Sequence, residues 1–143
     1  RVQKLYDLMV WVAVAVALPT TLFADWVILI LYGADFQEAA DVLKMYIWAG
    51  VFVSLGVASS KWLIAENLER YSFYSTLLGA ILNIVCNFYL IPIYGIRGAA
   101  LATLISYGTA AYLSMALFEK TRNNFWIATR ALNPYEVYLR ATR

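Results

Sequence analysis

The sequence holds no histidine and a single cysteine, Cys86. Without an imidazole, metal ligation and histidine-based acid–base chemistry have no candidates, so neither a metal nor a catalytic residue is expected. One cysteine cannot close an internal disulfide and says little about redox compartment. Charge is scarce as well. Asp, Glu, Lys and Arg make up 14% of the 143 residues, where a soluble domain carries about 25%. No phosphate-cradling loop, paired-carboxylate site or nucleic-acid surface occurs. An enzyme is therefore the least supported class, and no nucleic-acid partner is expected.

What fills the chain instead is apolar: 63% of it is hydrophobic, above the roughly 45–50% of soluble domains. These residues come in runs. No charge lies between Tyr71 and Ile96, or between Gly98 and Phe118. About 20 such residues cross a bilayer, at ~1.5 Å each against ~30 Å of hydrocarbon. Two further runs are interrupted, one by Pro19 and Asp25 and one bounded by Lys44 and Lys61. Long lysine stems can reach the interface from such positions. The reading is an all-α polytopic membrane bundle with transmembrane helices over about 8–31, 42–64, 73–93 and 98–118, followed by a basic tail over 119–143. Helices are required because the bilayer offers no water to unpaired backbone groups.

The last two spans are separated by Ile91–Gly98, read as a tight turn. Pro92 cannot continue the hydrogen-bond ladder. Gly95 and Gly98 relax the backbone, and Arg97 marks water or headgroups. Lysine and arginine fall unevenly across the loops. Arg1, Lys4, Lys61, Arg70, Lys120, Arg122, Arg130, Arg140 and Arg143 lie on one side of a four-helix topology, and Lys44 and Arg97 on the other. By the positive-inside rule both termini are expected in the cytoplasm of a multi-pass membrane protein. The chain begins at Arg1 and enters an apolar span within a few residues, so the front of a larger protein is expected to be missing.

Small and polar residues recur at helical spacing: Ala13, Ala17, Thr21 and Asp25; Gly50, Ser54 and Ala58; Thr76, Ala80, Asn83 and Asn87; Gly98, Ala102, Ser106, Ala110 and Ser114. Such stripes either pack helices together or line a polar cavity. The last stripe reads as packing. Asp25 is either a substrate- or ion-pathway carboxylate or a hydrated interfacial residue. Lys61 either offers charge to an anionic substrate or snorkels to the interface. Asn83 and Asn87 either bond a ligand's hydroxyls or cross-link helices. Pro19 is either a hinge or a static kink. Trp11, Trp26, Trp48 and Trp62 are read as interfacial belts. The tail, with Phe125-Trp126-Ile127, either lies on the membrane as an amphipathic segment ended by Asn133-Pro134 or is partly disordered. An echo links Tyr32-Gly33, Ala39-Ala40 and Leu43 with Tyr94-Gly95, Ala99-Ala100 and Leu104.

The ordered run Asn83, Asn87, Leu90-Ile91-Pro92, Tyr94-Gly95-Ile96, Gly98-Ala99-Ala100 and Ala102-Thr103-Leu104-Ile105-Ser106 resembles the corresponding pattern of polysaccharide flippases. These O-antigen and exopolysaccharide transporters belong with the multidrug and peptidoglycan-precursor exporters. Leu31-Tyr32-Gly33, Phe36, Ala39-Ala40 and Leu43 resemble a second element of that family, after a proline-containing helix. The resemblance covers Leu8 to about Phe118. It implies the last four helices of a roughly twelve-helix transporter built from internal repeats. It further implies alternating-access flipping of an undecaprenyl-diphosphate-linked oligosaccharide across a bacterial or archaeal inner membrane, driven by a proton or sodium gradient without a cofactor. The implied partners are membrane lipid, the lipid-linked oligosaccharide, the missing N-terminal helices and polysaccharide polymerase machinery. The matched glycines, alanines and proline would be architectural. Asp25 and Lys61 match cavity roles by residue type and not by motif. The piece alone, lacking the first lobe, should not transport. A drug or lipid exporter of the same superfamily and a non-transporting scaffold of a glycan-assembly complex are the alternatives.

Overall fold

A computed structural model describes residues 2–142 of the chain. Arg1 and Arg143, both in the charge count above, lie outside the described residues. Four helices are long and apolar enough to cross a membrane. They are α1 (Val2–Tyr32), α2 (Gln37–Ala65), α3 (Glu69–Tyr94) and a fourth in three parts. That fourth helix starts as α4 (Ile96–Gly108), widens to π geometry over Thr109–Leu113 and ends as α5 (Ser114–Leu117). Two short helices follow, α6 (Arg122–Leu132) and α7 (Pro134–Ala141). No strand occurs among the described residues, so the chain is an all-α polytopic bundle.

Local chemistry sets the reversals. Gly33 (φ 86°) ends α1 and Gly95 (φ 58°) separates α3 from α4. Positive φ is cheap only for glycine. The sequence echo between Tyr32-Gly33 and Tyr94-Gly95 is thus also an echo of backbone geometry. Between α2 and α3, Asn67 takes the left-handed position (φ 55°). Leu68 N–H reaches back to Leu63 O (2.7 Å) and Asn67 N–H to Ile64 O (3.1 Å), closing the α2 carbonyl end in a Schellman-type cap.

The turn expected over Ile91–Gly98 contracts to one residue. α3 runs through Pro92 to Tyr94, because proline in a last turn forfeits a single donor and leaves the rest of the ladder intact. Gly95 N–H still bonds Ile91 O at 2.8 Å, and α4 starts at the next residue. α3 and α4 therefore leave the turn in backbone contact. A Cβ on Gly98 would overlap the Leu90 carbonyl. Further along, a Cβ on Gly79 would stand 2.7 Å from that of Ala110. Pro19 does not interrupt α1, which is continuous from Val2 to Tyr32.

The buried core gathers where α1 begins and α2 finishes: Tyr6, Val10, Leu55, Ala58, Trp62 and the α6 residues Ala128 and Ala131. α3 is the opposite case. Gly79 is its one buried residue among those described, so its bulky side chains face outward.

The tail differs from a free segment. Asn133 ends α6 and caps α7, its side chain accepting from Tyr135 N–H (3.1 Å) with Pro134 at the first helical position. α6 docks on α1: Gln3 Nε2 donates to Ile127 O (3.0 Å) and Trp11 Nε1 to Ala131 O (3.2 Å). Tyr6 OH donates to Asn124 Oδ1 and lies 3.0 Å from Ser59 Oγ. Arg140 on α7 holds Asp7 through Nε and Nη2, at 3.0 and 3.1 Å. The tryptophan belt is also corrected in part. Trp11 is a tail clamp, Trp48 Nε1 donates to Thr21 on α1 (3.1 Å), and Trp62 is core. Of the four, Trp26 stands exposed. Indole N–H groups that find partners inside the bundle are drawn inward.

Candidate functional site: a hydroxyl-lined groove

Between α2, α3 and the α4–π segment lies an open groove of about 570 Å³. Its polar lining is hydroxyl and amide: Ser59 and Ser60 from α2, Ser72, Ser75, Thr76 and Asn83 from α3, and Thr103 and Ser106 from α4. Tyr46 and Tyr107 also line it, and no charged side chain does. Ser72 to Asn83 is eleven residues, roughly 16 Å along a helix, or about half of the hydrocarbon thickness.

Local sequence explains how the groove stays open. Gly56, Gly79, Ala80, Ala110 and Ala111 supply the parts of the lining without bulk, and Phe52, Val53, Val57, Leu63 and Met115 make the rest of the wall apolar. Several hydroxyls are tied to their own helix: Ser60 to Gly56 O (2.9 Å), Thr76 to Ser72 O (2.9 Å), Thr103 to Ala99 O (2.9 Å) and Ser106 to Ala102 O (2.6 Å). Each donated proton leaves the oxygen lone pairs free to accept from a ligand hydroxyl. The π segment follows a run of such back-bonds, including Thr109 to Ile105 O (2.9 Å), which loosen a helix ladder. π turns recur at functional positions, and this one forms the groove floor at Ala110 and Ala111.

The residues singled out in the sequence separate into different places. Asn83 lines the groove, but Asn87 does not. Asn87 Nδ2 donates to Asn83 Oδ1 at 2.9 Å within α3, so the pair does not cross-link two helices. Asn87 Oδ1 is buried without a partner among the described residues. Lys61 is exposed on α2 and lies outside the groove lining. Ser106 and Ala110 of the α4 stripe line the groove. Gly98 and Ala110 sit against α3, Ala102 is fully buried, and Ser114 donates to Ser75 at 2.8 Å. The α1 stripe faces α2, with Thr21 on Trp48 and Asp25 on Lys44, while Ala13 lines a shallow apolar pocket with Gly50 and Ser54 of the α2 stripe.

Asp25 belongs to a chain of charges that sequence reading missed. Lys44 Nζ lies 2.7 Å from Asp25 and 3.6 Å from Asp41, and Arg97 Nη2 lies 2.7 Å from Asp41. Three helices meet there through exposed, alternating charges. The signal available was Asp41 and Lys44 at i, i+3, but nothing local tied them to Asp25 or Arg97. The groove hydroxyls of Ser59, Ser60, Ser72 and Ser75 were likewise missed. Ser72, Ser75, Thr76 and Asn83 fall on one helical face, which could have found the α3 share.

Fold and site together define a membrane-type helix bundle with an uncharged groove, mostly apolar and dotted with hydroxyls, opening into its spans. No family model matches the chain, and no solved structure shows a significant match. Over 91 residues the chain is 31% identical to the probable low-salt glycan biosynthesis flippase Agl15 of Haloferax volcanii. The matched stretch is 64% of this chain and 19% of that protein, so the chain spans about a fifth of its relative's length. The partial likeness supports a flippase-like relationship loosely.

Proposed function

We propose that this chain is part of a membrane transporter that flips a lipid-linked oligosaccharide, and that the α2–α3–α4 groove carries part of its polar headgroup. The observation that carries the reading is an uncharged groove on membrane-length helices that sets eight Ser, Thr and Asn side chains among apolar ones. A sugar cannot cross hydrocarbon without replacing its water, because each stripped hydroxyl costs several kcal/mol, roughly 4–8 on a cyclohexane scale. Serine, threonine and asparagine side chains replace that water without demanding charge. The partial likeness to a glycan biosynthesis flippase points the same way. Both termini on the cytoplasmic side, a polyprenyl diphosphate carrier and alternating access belong to this proposal. So do the inner membrane as its location and coupling to an ion gradient. Groups that compensate a diphosphate would come from outside the groove, since no cation lines it.

The test is glycan export in cells carrying the intact gene with Thr76→Trp or Asn83→Trp, which fill the groove from its α3 wall. Export should fall severalfold at unchanged protein level. Wild-type export with a filled groove would refute the pathway. Normal export with the whole gene deleted would refute the transporter.

A further inference from the structure

We propose that α6 is an interfacial anchor, and that its outward face of Arg122, Trp126 and Arg130 binds anionic phospholipid headgroups. Three independent observations meet there.

The first is the face itself. Asn124, Ala128 and Ala131 are buried against the bundle. At 100° per residue Arg122, Trp126 and Arg130 stand on the opposite side of the helix, one turn apart. Trp126 is 55% exposed although it is the most bulky residue of α6. An indole between two guanidinium groups suits the headgroup zone, where one part of the ring is apolar and its N–H is wet.

The second is height. Tyr6 to Asn124, Gln3 to Ile127 and Trp11 to Ala131 fix α6 beside the first three turns of α1. α1 has 31 residues, about 46 Å at ~1.5 Å each against ~30 Å of hydrocarbon, and Gln3, Lys4 and Asp7 mark the turns before the span read from residue 8 as the part left outside, with Trp11 just within it. α6 therefore lies at the membrane surface.

The third is charge. At this end of the bundle six exposed cations, Lys4, Lys61, Arg70, Lys120, Arg122 and Arg130, have no carboxylate partner among the described residues and outnumber the exposed Glu66, Glu69 and Glu119. At the other end both cations, Lys44 and Arg97, are neutralised by Asp25 and Asp41. Unpaired arginines flanking an exposed indole at membrane height complement an anionic leaflet, whose pull on juxtamembrane cations falls off within a Debye length.

The inference requires that the chain sit in a membrane and not that it move glycan, so its failure would leave the export reading standing. The experiment uses the intact protein with Cys86→Ala and Trp126→Cys, labelled with bimane at the new thiol. It is reconstituted in phosphatidylcholine vesicles with or without 30 mol% phosphatidylglycerol. Headgroup-spin-labelled phosphatidylglycerol should quench the label severalfold better than aqueous iodide does. The preference for spin-labelled phosphatidylglycerol over phosphatidylcholine should fall about fivefold for each of Arg122→Gln and Arg130→Gln. This follows from about 1 kcal/mol per basic side chain near such a surface, at 1.4 kcal/mol per tenfold. Quenching by iodide alone would place α6 in water and overturn the proposal. Lipid quenching without a headgroup preference would overturn it too, as would equal competition by millimolar inorganic phosphate. Both arginines are exposed, so their replacement leaves the α6 core contacts in place.

Discussion

The α3–α4 hairpin offers the sharpest test of the packing argument, through one substitution made at two glycines. Gly98 and Gly50 both lie inside helices. A Cβ at position 50 meets nothing within 4 Å, whereas one at position 98 meets the Leu90 carbonyl and stands 3.0 Å from Ile91 N. The obstacle at Gly98 is backbone, so no side chain can swing aside. Relief requires α4 to move away from α3, and the single-residue link at Gly95 leaves little slack for that. An extra buried methyl in a tight contact costs about 1–3 kcal/mol. Alanine returns up to ~1 kcal/mol in helix propensity. Gly98→Ala should therefore destabilise the intact protein, by up to about 2 kcal/mol once these offset. Gly50→Ala should be neutral or stabilising by about 0.5–1 kcal/mol, since there the propensity term stands alone. The assay is thermal unfolding in detergent, followed by the fraction that stays monodisperse on size exclusion. Shifts of the same sign at both positions would refute the claim that backbone contact at Leu90 sets this hairpin.

Tyr6→Phe should cost about 1–3 kcal/mol in the same assay, because it leaves the Asn124 carbonyl oxygen buried without its donor. Asp25→Asn should shift stability by no more than about 1 kcal/mol, since its pair with Lys44 is exposed. Lys44→Glu should cost clearly more and recover with added salt, because it sets three carboxylates together; a Lys44→Glu protein as stable as Asp25→Asn would remove the network. Arg140→Gln should speed proteolysis within α7 without changing the melting of the four long helices, since Arg140 ties α7 to Asp7 of α1 and to the Arg130 carbonyl of α6; unchanged cleavage would show that α7 is held by other contacts.

The four membrane-length helices were determined by sequence alone. A long apolar run, uncharged in the last two spans and broken only by Asp25 or bounded by Lys44 and Lys61 in the first two, satisfies its backbone in lipid as a helix, and that constraint is local. The stop at Asn133-Pro134 and the turn glycine at 95 were legible for the same reason, since cap and turn chemistry act within a few residues, whereas Gly98, read with Gly95 as a turn residue, lies inside α4. The tertiary structure alone decided which polar groups meet. Tyr6 and Asn124 stand 118 positions apart, and the same stretch of sequence would permit α6 to lie free. A stripe such as Thr76, Ala80 and Asn83 names a helix face but not what that face meets, because the rotation of one helix against another is set by where small residues let backbones close. Gly79 on Ala110 and Gly98 on Leu90 fix that rotation for α3 and α4. They turn the hydroxyls of α3 toward a groove and leave Asn87 outside it, an outcome no single-helix periodicity contains.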